Sequence, residues 1–219
     1  FKQWNKYPYE LDKSVLARIP VRPNFDTRYF ADKYQALPEK GYTKFFEKLL
    51  DNPLIEYRLN IDFFEFKKDY NLENTPIIYT GPIDTYFSDI GLEKLEYRSI
   101  DFHIKKYMNM NFYQPCGAVN YPGNEEPYTR IIEYKHFLNQ NSPHTIIVGE
   151  TTNDKGEPYY PVPNERNLSL YEKYKKMADQ TQAEGKIFFV GRLANYKYFN
   201  MDQAIDNALK FFQNELIVS

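Results

Sequence analysis

The sequence predicts an α+β fold, a mainly antiparallel sheet with flanking helices, on three observations. Strand-like runs follow one another through the middle of the chain with only short polar breaks. Helical periodicity flanks that region on both sides, and the chain closes as helix, strand, helix.

Taken in order, the stretch up to about Leu37 reads as irregular, with prolines at 8, 20, 23 and 38. TKFFEKLLDN predicts a short helix with Phe45, Phe46, Leu49 and Leu50 on one side, stopped by Pro53. In IEYRLN, Ile55, Tyr57 and Leu59 alternate as in a half-buried strand, and PIIYTG reads as a short buried strand ended by Gly81-Pro82. Four strand candidates follow: KLEYRSIDF, FYQPCGAVNY, YTRIIEYKHF and HTIIVGE, separated by turn signals such as Tyr121-Pro122-Gly123-Asn124. NLSLYEKYKKMADQ then predicts a helix with Leu170, Tyr171, Tyr174, Met177 and Ala178 on one face, and KIFFVG a buried strand. MDQAIDNALKFFQNEL is the strongest helix, keeping Met201, Ala204, Ile205, Ala208, Leu209 and Phe212 on one stripe. Asn200 is its N-cap candidate, with Gln203 completing a capping box. The closing helix–strand–helix suits a parallel unit completed by further sequence.

Composition removes several classes of function. With 28 basic against 30 acidic side chains and no basic run, nothing favours nucleic acid. No apolar stretch approaches the roughly 18 to 20 residues of a membrane helix, FKQWNKYPYE has no signal-peptide core, and the single Cys116 fits a reducing compartment; a cytoplasmic protein is the expectation. Lacking an initiator methionine, the chain is expected to be cut from something longer. Its nine glycines offer neither G-x-G-x-x-G nor a P-loop, and no pair of histidines has H-x-x-x-H spacing. No G-x-S-x-G marks a nucleophile. Tyr and Phe are abundant, 21 and 17, which suits either stacking on sugars and bases or an aromatic sheet core.

Three constellations remain. RIPVRPNFDTRYF holds Arg18, Arg22, Arg28 and Tyr29, either a phosphate-binding arginine set on a proline-stiffened segment or a surface loop with solvated arginines. In YTRIIEYKHF, alternation sets Arg130, Ile132, Tyr134 and His136 against Thr129, Ile131, Glu133 and Lys135. Either one face lines a polar cleft, or Glu133 and Lys135 pair across the surface. FFVGRLANYKYFNMDQA runs from a strand through glycine into a helix start, a place suited to a negative group, or else an ordinary loop with packing tyrosines.

Together these segments resemble the UDP-galactopyranose mutase family. The matching words are KQW, RIPVR, R-Y-F-x-D-x-Y-x-x-L-P-x-x-G-Y, YTGPID, LEYRS, VNY, YTRIIEYKHF, EPYYP and G-R-L-A-x-Y-K-Y, in order from Lys2 to about Leu209. The resemblance implies an isomerase that interconverts UDP-galactopyranose and UDP-galactofuranose. Reduced FAD is the implied cofactor, with its N5 as nucleophile on the anomeric carbon, which agrees with the lack of a protein nucleophile. Arg18 and Arg130 match arginines on the pyrophosphate. Tyr29, Tyr160 and Tyr198 match tyrosines that hold the diphosphate, Trp4 belongs to a mobile substrate loop, and Asn120 lines the sugar pocket. Arg192, Met201 and Asp202 match the flavin-contacting segment, with Arg98 near the cleft. Asn200 stands where the family usually has Asp, which keeps N-capping and loses a charge.

The same resemblance divides the chain into 1–50 (substrate loop and end of a helical domain), 51–165 (a mostly antiparallel substrate domain, with 76–90 near the flavin) and 166–219. The last would be a C-terminal strand–helix piece of an FAD-binding, Rossmann-like domain, its glycine fingerprint lying upstream of Phe1. The isolated chain is then expected to be inactive, the full-length protein able to form a homodimer, and Arg130→Ala to remove turnover with little loss of stability. The competing readings are a non-catalytic nucleotide-sugar or glycan-binding module, and the substrate domain of another FAD oxidoreductase.

Overall fold

The computed structural model describes all residues except 20, 22, 26–29, 71, 73, 74, 139, 185, 186, 218 and 219. It has six α-helices among the described residues: α1 (Lys13–Leu16), α2 (Gly41–Leu50), α3 (Phe63–Asp69), α4 (Ile83–Tyr86), α5 (Glu165–Ala183) and α6 (Met201–Phe211). The strands are β1 (Ile77–Tyr79), β2 (Tyr97–Tyr107), β3 (Ala118–Asn120), β4 (Arg130–Glu133), β5 (Thr145–Asn153), β6 (Tyr160–Pro161) and β7 (Ile187–Phe189). Five strands form an antiparallel sheet in the order β3-β4-β5-β2-β6, while β1 and β7 make a separate parallel pair. The expected α+β class with an antiparallel sheet is therefore observed.

The sheet is built around β2 and β5, which pair from Ser99↔Asn153 to Tyr107↔Thr145. Because side chains alternate along a strand and paired residues share a face, register alone assigns one face to each residue. Asn120↔Arg130, Arg130↔Glu150, Phe102↔Glu150, Ile100↔Thr152 and Arg98↔Tyr160 are all direct pairs. Asn120, Arg130, Glu150, Thr152, Ile100, Arg98 and Tyr160 consequently lie on one face. The first residues of the chain cover part of it: Trp4, Val15, Tyr160 and Val162 form a buried cluster against Leu11, Ile100 and Tyr198.

A second cluster joins the parallel pair to α5, with Leu170, Tyr174 and Ala178 packed on Tyr79, Ile187 and Phe189. The predicted face of α5 is thus the buried one, and Asn164 caps the helix by accepting from the Asn167 amide at 2.8 Å. Tyr196 links this cluster to the sheet's edge: its hydroxyl donates to Glu96 O (2.6 Å), with Val162 O 3.1 Å away, and accepts from Val162 N (3.2 Å).

Several expectations need correcting. IEYRLN forms no strand, because its side chains are exposed, it has no strand partner among the described residues, and Asn60 turns the chain at φ 58°. The run FYQPCGAVNY contributes only Ala118–Asn120, since a strand exists only where a neighbour accepts its hydrogen bonds. YTRIIEYKHF leaves the sheet after Glu133 and turns as a 3-10 helix over Tyr134–His136. Glu133 and Lys135 do not pair with each other across the surface. Glu133 is fully buried and accepts from the amides of Tyr113 and Gln114, the Thr145 hydroxyl and His136 Nε2. Buried Lys135 places its Nζ among Asn111 O (2.6 Å), Asn111 Oδ1 (3.0 Å), His144 O (3.3 Å) and Ser142 O, which share its three N–H donors. The irregular opening contains the single-turn α1, capped by Asp12. The predicted stripe of α6 faces outward, with Met201, Ile205, Leu209 and Phe212 exposed; Phe211 packs on Phe188 and Asn207 Oδ1 accepts from Gly191 N.

Candidate functional site

The site is assembled where the opening segment, the sheet face and the loop after β7 meet. Backbone groups of the opening segment are fixed first. Thr152 Oγ1 donates to Lys2 O (2.6 Å), while Arg98 Nε (3.3 Å) and the Tyr160 hydroxyl (3.0 Å) both donate to Gln3 O. Arg98 Nη2 in turn donates to Thr152 Oγ1 at 3.0 Å. Two carbonyls that would otherwise be stranded against a sheet are thereby satisfied, and Trp4 is delivered edge-on to Tyr160 (4.9 Å between centroids) and Tyr198 (5.1 Å).

The loop Gly191–Asn200 supplies the other side. Gly191, at φ 105°, lets the chain turn out of β7, and buried Tyr196 adopts the left-handed conformation at φ 46°. Tyr198 is thereby presented between Trp4, Tyr160 and two guanidinium groups: Arg18 Cζ lies 4.3 Å and Arg192 Cζ 4.5 Å from its ring centroid. Arg18 also donates to the Tyr198 carbonyl and to Asn200 Oδ1. Gln203 returns to the Asn200 amide at 2.8 Å, as the capping-box pattern predicts.

Two cations held close together on aromatic faces make this a site suited to an anion. Arg192 is pulled below the usual guanidinium range, chiefly by burial; Arg18 pushes the same way, and Tyr198 and Tyr160 oppose. Its Nη1 donates to Phe199 O (3.1 Å), while its Nε is buried with no partner among the described residues. Burial and the neighbouring Tyr198 raise the Tyr160 hydroxyl above its ordinary value, with Arg98, the Gln3 side chain and Arg130 opposing. Tyr160 therefore stays a neutral donor at neutral pH.

Among the predicted residues, Trp4, Arg18, Tyr160, Arg192, Tyr198 and Asn200 are brought into one cluster, and Arg98 joins through Gln3. Asn120 and Arg130 are paired with each other further along the same sheet face. Met201 and Asp202 begin α6 with exposed side chains. Tyr29, with Arg22 and Arg28, lies outside the described residues. A surface hollow of about 650 Å³ beside α2, lined by Lys44, Lys48 and Tyr57, shares no residue with the cluster.

One expectation about Arg130 is revised by its surroundings. Its Nε donates to Glu150 Oε2 at 2.6 Å, and Glu150 is only 4% exposed. Removing the arginine would leave a buried carboxylate unpaired, so a loss of stability accompanies any loss of function. Reasoning from sequence overlooked Glu150, Thr152, Gln3 and Lys2. An acid ending the apolar run TIIVGE was the one available signal for Glu150; the others act through backbone contacts that leave no pattern.

The fold and the site together define an antiparallel sheet domain with an arginine–tyrosine cluster on one face. The profile of the UDP-galactopyranose mutase family matches residues 1–198, and the chain belongs to that family. It is 38% identical over 214 residues to a Klebsiella pneumoniae protein named "Probable UDP-galactopyranose mutase", covering 95% of this chain and 53% of that one. An Escherichia coli dTDP-fucopyranose mutase is 36% identical over 219 residues (97% and 57%), and a Mycoplasma genitalium UDP-galactopyranose mutase 36% over 232 residues (98% and 56%). The chain thus spans a little over half the length of these relatives. A solved structure of reduced UDP-galactopyranose mutase aligns with TM-score 0.49 at 17% identity, over 66% of this chain and 43% of that one.

Proposed function

We propose that this chain is the nucleotide-sugar-binding part of a UDP-galactopyranose mutase, an isomerase that interconverts UDP-galactopyranose and UDP-galactofuranose. The observation that carries the reading is the pair of guanidinium groups, Arg18 and Arg192, gathered over Tyr198 beside Trp4 and Tyr160. Arg18 and Arg130 hold the pyrophosphate and offset the charge that develops as UDP leaves the anomeric carbon. Tyr160, Tyr198 and Tyr29 are the tyrosines proposed to hold the diphosphate. Trp4 packs beside them, and Asn120 and Asn200 take sugar hydroxyls.

The family implies FAD, and the residues present fit it. The Nε of Arg192, without a partner among the described residues, leaves a buried donor for which a flavin acceptor is the proposed partner once the site rearranges to admit it. The loops after β1 and β7 stand at the carboxyl ends of a parallel pair, where such sheets receive ligands. Arg192, Arg98, Met201 and Asp202 are the residues proposed to face it, and β1, β7, α5 and α6 are proposed to be part of its Rossmann-like domain. When bound in reduced form, FAD supplies the nucleophile at the anomeric carbon.

Isothermal titration of UDP into this chain, and into the full-length protein carrying reduced FAD, tests the assignment. Binding that is lost in Arg18→Ala, with conversion of UDP-galactopyranose by the full-length protein, is the expected result. Binding without any conversion would instead identify a nucleotide-sugar-binding module. Conversion of dTDP-fucopyranose alone would redirect the sugar assignment.

A further inference from the structure

Lys2 reaches across the sheet face into the loop that joins β3 to β4. Its Nζ lies 3.0 Å from Tyr121 O, 2.7 Å from Gly123 O, 2.7 Å from Glu126 O and 2.8 Å from Tyr128 O. An ammonium has three N–H donors, so four carbonyls at these distances surround it as they would a bound monovalent cation. The carbonyl dipoles point at one another, an arrangement that repels unless a positive charge sits between them. The loop therefore depends on the lysine for its shape.

Position gives this contact a consequence beyond the loop. The loop is closed by Tyr121 N donating to Thr129 O at 2.9 Å, and its two ends are the paired residues Asn120 and Arg130. At the other end of the side chain, Lys2 O is held by Thr152 and Gln3 O by Arg98 and Tyr160, immediately before Trp4. One side chain thus spans from the segment that carries Trp4 to the hairpin that carries Arg130.

We propose that Lys2 is a positioning residue: its ammonium substitutes for a bound cation in a carbonyl cage, and so holds the Asn120–Arg130 hairpin in register with the Trp4–Tyr198 cluster. The proposal rests on the nucleotide-sugar reading of that cluster. Lys2→Met keeps most of the stem and removes the charge. Lys2→Ala opens a space that a small primary amine can enter.

Hydrogen exchange by mass spectrometry, with peptides covering 121–130 and 145–153, reads the loop and the neighbouring strand separately. In Lys2→Met, exchange in 121–130 is expected to accelerate by about tenfold or more while β5 keeps its protection, and UDP affinity to fall by about tenfold. In Lys2→Ala, n-propylammonium is expected to restore both, and tetramethylammonium, which has no N–H donor, neither. Unchanged exchange in 121–130 would overturn the proposal. So would acceleration spread equally over β5, which would mean a general support of the fold, or local acceleration with UDP affinity unchanged. If the unsubstituted chain binds no UDP, the nucleotide-sugar reading fails for the isolated chain; the exchange and amine arms still decide whether Lys2 sets the loop.

Discussion

Arg18 and Tyr198 are joined twice over: the guanidinium lies 4.3 Å from the ring centroid and also donates to the tyrosine's own carbonyl. The ring and the backbone of one residue therefore fix the arginine. Replacing the ring should affect the site more than removing the hydroxyl. Tyr198→Leu is expected to weaken UDP binding by about tenfold, and Tyr198→Phe by no more than about threefold, since each cation–ring contact contributes about 0.5–2 kcal/mol. Titration of UDP into the two variants checks the order; equal losses would show that the hydroxyl, not the ring, is what matters.

The Arg130–Glu150 pair predicts a separation of stability from binding. Arg130→Ala should cost about 1–3 kcal/mol, reduced from a fully buried pair because the arginine side chain is 45% exposed. Adding Glu150→Gln should recover much of that stability without recovering UDP binding. Thermal melts and titration of the single and double variants decide the point.

Glu133 gives the protein a sensitivity to acid. Burial acts to raise its carboxyl, but the bonds from Thr145, the Tyr113 and Gln114 amides and His136 outweigh it, leaving the group below its ordinary value of 4.5. A carboxyl depressed in the folded state contributes stability that is present above the unfolded value and lost as pH falls through the folded one. Stability should therefore decline as pH drops below about 4.5. Glu133→Gln should be less stable at neutral pH and lose part of that acid limb, as urea melts across the pH range would show.

Asn200→Asp would set a carboxylate against Arg18 and at the N-terminus of α6. Stability should rise by about 0.5–1 kcal/mol through the helix dipole and the charged bond. UDP affinity should fall, because Arg18 would share its charge with an internal partner. A melting curve and a titration with opposite outcomes would be the signature; a gain in both would reject it.

Tyr196→Phe removes a hydroxyl that ties Glu96 and Val162 to the loop after β7. The residue is 2% exposed, and Val162 N, Glu96 O and Val162 O keep other partners, so its loss should cost about 0.5–1.5 kcal/mol, the net worth of a buried hydrogen bond. Chemical denaturation measures this directly.

How far the sequence could be read followed from what each element depends on. The α5 face was legible because burial follows local periodicity there, and the β5 run because a short, continuous apolar stretch is what a buried strand requires. Ile55, Tyr57 and Leu59 alternate as a strand would, yet the described residues offer them no strand partner, and alternation carries no information about partners. The stripe of α6 was legible as a stripe, but a periodic pattern does not say what it faces. The cluster of Trp4, Arg18, Arg192 and Tyr198 was legible through family words rather than through spacing, since its members are up to nearly two hundred positions apart. Glu150, Thr152 and Lys2 support it through single polar contacts, and such contacts leave no repeat to detect.

The common face of Asn120, Arg130, Glu150, Thr152, Arg98 and Tyr160 is set by strand register and nothing else. A one-residue insertion inside β5 would turn Glu150 and Thr152 to the opposite side while leaving the composition of the sheet unaltered. The same insertion in the turn after Asn153 would leave every pair intact. Lineages carrying this site are therefore free to vary in length between strands but not within them, so that gaps in a future alignment should mark the loops and spare β2, β4 and β5.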